Sequence, residues 1–216
     1  MSTETQVSSI LARLKQLRQK RAAAERCELC SLELLAEHEH LVEPANHKLV
    51  CACDACAILF DGQRGKYKRV PRSVRFLEEF QLSEGQWDNL AIPIELAFFF
   101  RSTPQEKMIA MYPSPAGAME SLLSLDTWDD LVRANPVLGG MNADVEALLV
   151  NRAGASRGSN RAEYFVVPID ACYKLVGLIR THWRGFSGGT EVWQEIEAFF
   201  ADLKKRSGAH REAAHA

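Results

Sequence analysis

No stretch of the 216 residues reaches the roughly 18–20 apolar side chains that a membrane-crossing helix needs. The most apolar run, Ala91 to Phe100, is interrupted by Pro93 and Glu95. The opening residues, MSTETQVSS, have no basic segment leading into an apolar one, so no secretory signal is expected. An excess of one charge is missing too. Lys and Arg number 26 against 28 Asp and Glu, a net charge of −2, which argues against nonspecific attraction to nucleic acid. The chain has no P-loop, no GxGxxG, no GxSxG elbow, no HExxH and no internal repeat. These absences point to a cytoplasmic protein with no motif-defined catalytic centre, and no catalytic residue is assigned. In a reducing compartment, clustered cysteines are read as metal ligands before disulfides.

Cysteine is nearly absent outside one segment. Five of the six fall between residues 27 and 56: Cys27, Cys30, Cys51, Cys53 and Cys56. His38, His40 and His47 lie among them. The order is CxxC, then HxH, then CxCxxC. The two residues inside a CxxC turn make a knuckle that points both sulfurs one way, and two knuckles supply four tetrahedral corners. Cys27, Cys30, Cys53 and Cys56 are therefore the expected ligands of one zinc or iron ion, zinc being preferred. Leu32 and Ile58, just beyond the knuckles, are expected to pack them down. Cys51 is then a surplus thiol, read as facing the opposite side of a strand from Cys53. It could instead replace Cys53, and His38 or His40 could displace one cysteine. The two histidines share a face if the chain is extended. They could support a knuckle by hydrogen bonding, ligate the metal, or act as a general base. A second metal ion is the least favoured arrangement, because closing a second site would consume every remaining ligand.

The rest of the chain organises around this segment. Residues 1–26 are read as an amphipathic helix, with Ile10, Leu11, Leu14 and Leu17 on one stripe and a basic opposite side. Residues 27–60 form the Cys/His metal module. Residues 61–89 read as a linker, with turn signals at Asp61-Gly62 and Gly65. The linker carries a basic run, Lys66, Lys68, Arg69, Arg72 and Arg75, with Tyr67 and Phe76 interleaved. That run is a solvated surface or a holder of phosphates or an acidic partner. Residues 90–207 read as an α+β domain with a small, mainly antiparallel sheet. Its expected strands are 90–101, 107–112, 145–150 and 163–168. Its expected helices are 116–123, 128–134, 171–183 with Asp170 as cap, and 191–205. A Gly/Ser/Asn-rich loop spans 153–160, and the tail over 208–216 is expected to be disordered. Cys172 is read as a core thiol. Arg180, His182, Trp183 and Arg184, followed by a glycine-rich stretch, are candidates for binding a partner.

Three resemblances bear on this reading. The order of knuckle, HxH, strand and second knuckle resembles the treble-clef zinc fingers of His-Asn-His endonucleases. There a structural zinc accompanies a catalytic histidine and a second ion, which would fall here at His38 or His40. That pattern carries Asp beside the histidines and Asn after the last cysteine; this chain has Glu37 and Ala57. The two knuckles are also similar to a rubredoxin iron site, but Ser31 and Ala57 stand where glycine is usual. Finally, CELC, HEHLVE, LVCACDACAILF, IPIELAFFF, MYPSPAGAMESLL and CYKLVGLIRTHWRGFSGG together resemble an uncharacterised bacterial family. That family is often encoded in gene clusters for actinobacterial-type nickel–iron hydrogenases. The resemblance runs from about residue 26 to 206. It implies a hydrogenase accessory role in assembly, maturation or electron transfer, with hydrogenase subunits or maturation factors as protein partners. The less favoured alternatives are a metal-dependent nuclease and a zinc-dependent nucleic-acid-binding module.

Overall fold

The fold is mixed α+β, built on two antiparallel sheets. A computed structural model describes residues 25–90, 92–121, 128–153, 162–185 and 188–213. Apart from its last two positions, the helix expected over the first 26 residues lies outside these. So does most of the loop expected over 153–160.

The first sheet has three strands. β1 (Glu39–Glu43) and β2 (Lys48–Ala52) form a hairpin, helix α1 (Asp54–Phe60) follows, and β3 (Lys68–Arg69) returns beside β1, giving the order β2-β1-β3. Alternation along the hairpin gives it two distinct faces. Leu41, Val50 and Ala52 pack with the cysteines and Ala57 in a small cluster. Val42, with Leu49 beside it, points instead into the core of the second sheet.

The second sheet has six strands in the order β4-β9-β8-β5-β6-β7. They are β4 (Arg75–Phe76), β5 (Leu96–Ser102), β6 (Lys107–Ser114), β7 (Gly117–Glu120), β8 (Glu146–Asn151) and β9 (Glu163–Pro168). Its central strands are covered on both faces, which is why β5 reads LAFFF without alternation. Phe98 and Phe100 face the core capped by α4 (Ile169–His182) and α5 (Gly189–Ala213). Phe99 faces the other way, toward Trp87, Leu90 and Leu131 on or beside α2 (Glu84–Asn89) and α3 (Trp128–Ala134). Helix α2 starts at a capping box in which Ser83 and Gln86 satisfy each other's backbone N–H groups.

The stretch expected to link two domains carries β3, β4 and α2, and its Val70 and Val74 are buried in the same core as the six-stranded sheet. Polar contacts reinforce that junction. Lys68 on β3 donates to the buried Asp144 carboxylate at 2.6 Å, and Asp144 also accepts from the backbone N–H and the hydroxyl of Thr103.

Two local expectations are corrected. Residues 116–123 were expected to be helical, but Gly117–Glu120 form β7, paired with β6 from Met111↔Glu120 to Ser114↔Gly117. The Ser114 hydroxyl accepts from Ala116 N–H and donates to Gly117 C=O, closing a two-residue turn that sends the chain back as a strand. Asp170 does not cap α4. Strand β9 hands the chain straight into the helix, Ile169 N–H donating to Val145 C=O, and Asp170 sits in the first turn. Helix α5 continues to Ala213, in a stretch with no proline to stop it.

Candidate metal centre

The four expected ligands come together. Sγ atoms of Cys27, Cys30, Cys53 and Cys56 all lie within 4.8 Å of one another. The Cys30 and Cys53 sulfurs are 3.7 Å apart, and four thiolates bonded at about 2.3 Å to one tetrahedral ion would stand about 3.8 Å apart. Cys27, Cys53 and Cys56 are buried, and Cys30 is exposed.

Local backbone chemistry places each sulfur. The first knuckle is closed by Ser31 N–H donating to Cys27 C=O and by Cys27 N–H donating to Leu32 C=O. Ser31 follows Cys30 with φ 65°, the left-handed conformation that glycine would adopt at lower cost. Glu28, inside the knuckle, accepts from Cys51 N–H and from Lys48 Nζ, which ties the turn to β2. The second knuckle is the N-terminus of α1, where Cys53 is the N-cap and its sulfur accepts from Cys56 N–H. Leu32 and Ile58 do not pack the knuckles down; they are 58% and 67% exposed. Leu29, Leu34, Phe60 and Tyr67 pack against the cluster instead.

The sulfurs share charge unevenly. Burial raises the Cys27 thiol, but hydrogen bonds from the backbone of Cys53, Leu29 and Cys30 outweigh it and bring it down to about 6. Burial first, then the neighbouring thiols, push Cys56 up to about 12. Cys27 therefore gives up its proton more readily than Cys56 does. A bound cation supplies the missing positive charge, so metal uptake must release protons. All-sulfur donors of this spacing suit zinc or iron.

His38, His40 and Cys51 form a second group, their ligand atoms also within 4.8 Å of one another. Cys51 and Cys53 do go to different groups, but not because they alternate. Two residues apart on one strand they would face the same way. β2 ends at Ala52, and Cys53 turns into the cap of α1. His40 Nδ1 is 2.8 Å from Asp170 Oδ2, and His38 Nδ1 is 2.9 Å from the Leu35 carbonyl. That Asp170 would reach this site was not visible in the sequence, since 130 positions separate it from His40. His47 lies elsewhere, edge-on to Phe100 and 3.4 Å from the Ser102 hydroxyl.

The remaining candidates stand apart. Arg180, His182, Trp183 and Arg184 lie at the C-terminal end of α4, about 18 Å along the helix from Asp170. His182 pairs with Glu191, Trp183 Nε1 donates to Gly185 C=O, and Arg184 donates to the carbonyls of Thr181 and Trp183. The basic run is largely neutralised: Lys68 pairs with Asp144, Arg69 and Arg72 with Glu39, and Arg75 with Glu146. Cys172 is fully buried, and desolvation lifts its thiol well above the ordinary range. A cavity of about 840 Å³ between β6 and α3, lined by residues including Met108, Ala110, Trp128 and Val132, contains no cysteine or histidine among the described residues.

No described helix is long and apolar enough to cross a membrane. The chain belongs to a family of unknown function, DUF5947, which it matches over residues 26–207. No curated protein and no solved structure matches it.

Proposed function

We propose that this chain is a metal-binding accessory protein. Its four-cysteine cluster holds one zinc or iron ion, zinc first, as a structural centre, and the protein acts by binding a protein partner rather than by catalysis. The convergence of four sulfurs within 4.8 Å of one another, one pair of them at 3.7 Å, supports this reading most. Four protein ligands leave no corner for substrate, the mark of structural rather than catalytic zinc. The order of knuckle, hairpin and helix-capping knuckle fits a treble-clef module. A protein partner is favoured by the surface. Of the six exposed large apolar side chains among the described residues, four (Leu32, Leu35, Ile58 and Leu59) lie on the metal module.

The finer reading, service to a nickel–iron hydrogenase in assembly, maturation or electron transfer, rests on the sequence resemblance. Deleting the gene should abolish hydrogenase activity while leaving hydrogenase transcripts intact; an unaffected hydrogenase sinks the assignment. Metal analysis with a visible spectrum on anaerobically purified protein separates the two metals. Colourless protein with zinc supports a structural centre, and a red, reducible thiolate spectrum moves electron transfer to the front. A second reading, a His-Asn-His-like nuclease, draws on the His40–Asp170 pair, since a carboxylate orients a histidine for general-base work. Plasmid cleavage with Mg²⁺ or Mn²⁺, lost in His40→Ala, would favour it.

A further inference from the structure

We infer that His38, His40 and Cys51 form a second metal site, separate from the four-cysteine cluster, for a divalent ion of the zinc type. The backbone alone brings these residues to one place. His40 and Cys51 are direct cross-strand partners in the β1–β2 hairpin, which sets their side chains on one face. His38, just before β1, brings its ring to 4.8 Å from that of His40, centroid to centroid, and joins the same group. The face that His40 and Cys51 share is opposite Leu41, Val50 and Ala52, which pack with the four-cysteine cluster.

The hydrogen bonds fix the tautomers. The Leu35 carbonyl can only accept, so His38 Nδ1 carries the proton and donates. His40 Nδ1–H likewise donates to the Asp170 carboxylate. With Nδ1 so engaged, the lone pair of each ring in its metal-binding form is at Nε2. The His38 side chain is only 7% exposed, and its Nε2 is buried with no hydrogen-bond partner. A buried acceptor without a donor is rare and costly. A cation held between the two rings and the Cys51 thiolate satisfies it.

The partner of the His40 ring fits as well. A metal-bound histidine that passes its other N–H to a carboxylate is the usual arrangement, and here Asp170 is that carboxylate. Zinc bonded to nitrogen at about 2.0–2.1 Å and to sulfur at about 2.3 Å needs ligand atoms about 3.3–3.7 Å apart, so the three groups need close by no more than about 1–1.5 Å. Two histidines and one thiolate leave a fourth corner for water or another ligand. The two sets share no residue. A second ion need not compete for the ligands of the first, and three protein ligands suffice for a site that is not closed.

The test uses the full-length wild-type protein with zinc alone. After saturation and desalting, two zinc ions per chain are expected. Alkylation by N-ethylmaleimide, mapped by mass spectrometry, should spare all five clustered cysteines. A mild chelator should then remove one ion and expose Cys51 alone to alkylation, while Cys27, Cys30, Cys53 and Cys56 stay protected. Buried Cys172 serves as an unreactive control in the folded chain. Asp170→Asn, which alters neither ligand set, should weaken the second ion by about 10–100-fold and leave the first unchanged. Cys51 still alkylated at zinc saturation, whether one ion or two are bound, overturns the site. Protection of Cys51 without protection of the other four would overturn the four-cysteine centre instead and leave this one standing.

Discussion

Asp144 joins the two sheets, and Asp144→Asn removes its charge at nearly constant size. The carboxylate is buried and accepts from Lys68 Nζ at 2.6 Å, Thr103 N–H at 2.8 Å and the Thr103 hydroxyl at 2.5 Å. Its φ of 71° is a conformation asparagine adopts readily, so the backbone is not disturbed. The amide keeps an acceptor for the Thr103 N–H. Its NH₂ group, however, faces the Lys68 ammonium and cannot accept the hydroxyl proton. A hydrogen bond to a charged group contributes about 1.5–3 kcal/mol. Lys68 is one-third exposed, so its pair belongs at the low end of that range. Together the two losses come to about 3 kcal/mol. For a chain of this length that is a fall of about 6–12 °C in Tm.

The pH dependence gives the sharper test. Burial alone would raise the Asp144 carboxyl, but the bonds from Lys68 and Thr103 outweigh it and hold it below the usual carboxylate range. Below the ordinary value of about 3.9 the unfolded chain therefore binds the proton that the folded chain still refuses, and stability rises with pH there. The contribution is complete above about pH 5 and is lost as pH falls through the lowered folded value. Asparagine has no such proton. The stability gap between wild type and variant should stay constant from about pH 8 to 5 and narrow below about pH 4. Thermal melts followed by circular dichroism in the presence of zinc read both quantities. A gap below about 1 kcal/mol at neutral pH, or one as wide in acid as at neutrality, refutes the reasoning.

Cys56→Ser, or metal removal by a strong chelator, should abolish hydrogen-exchange protection across residues 26–60 and preserve it in β5, β8 and β9, since structural thiolate zinc contributes roughly 10 kcal/mol or more to small modules; uniform loss along the chain would contradict this. Phe165→Ala, at a fully buried ring packed on Phe76 and Phe200, should cost about 3–5 kcal/mol in urea unfolding. Ser31→Gly relieves the left-handed conformation after the first knuckle and should leave zinc affinity equal or up to about 1 kcal/mol tighter by competition titration; weaker binding would show that the Ser31 side chain has a role of its own.

What could be read from the sequence was local. The knuckles are legible because a CxxC turn needs only its own four residues. Strand β9 and helix α3 fall where composition and the Asn135-Pro136 break put them. β7 was missed because the Ser114 side chain closes its turn, and the short apolar run after it fits a helix as easily as a strand. Asp170 resembles a helix cap, and only the fold reveals that its carboxylate is committed to His40. Leu32 and Ile58 looked like packing for the knuckles because they are apolar, yet Leu29, within the first knuckle, and Ala57, just after the second, take that place. Assigning Cys51 and Cys53 to separate groups needed the end of β2, which residue spacing does not mark.

The hairpin's two faces imply different consequences for the two sets of ligands. On one face, Leu41, Val50, Ala52 and Ala57 are the apolar members of a cluster whose other members are cysteines. So small a core leaves the module dependent on its metal. On the other face, Val42 enters the large core and His40 reaches Asp170 on α4. An ion in the four-cysteine centre therefore organises the module internally. The proposed second ion would sit where the module meets α4 and would act on the junction. Withdrawing it alone should raise hydrogen exchange at β1 and the first turn of α4 while α1 stays protected. If α1 exchanges as early as β1, the two faces are not independent and the hairpin responds to metal as one unit.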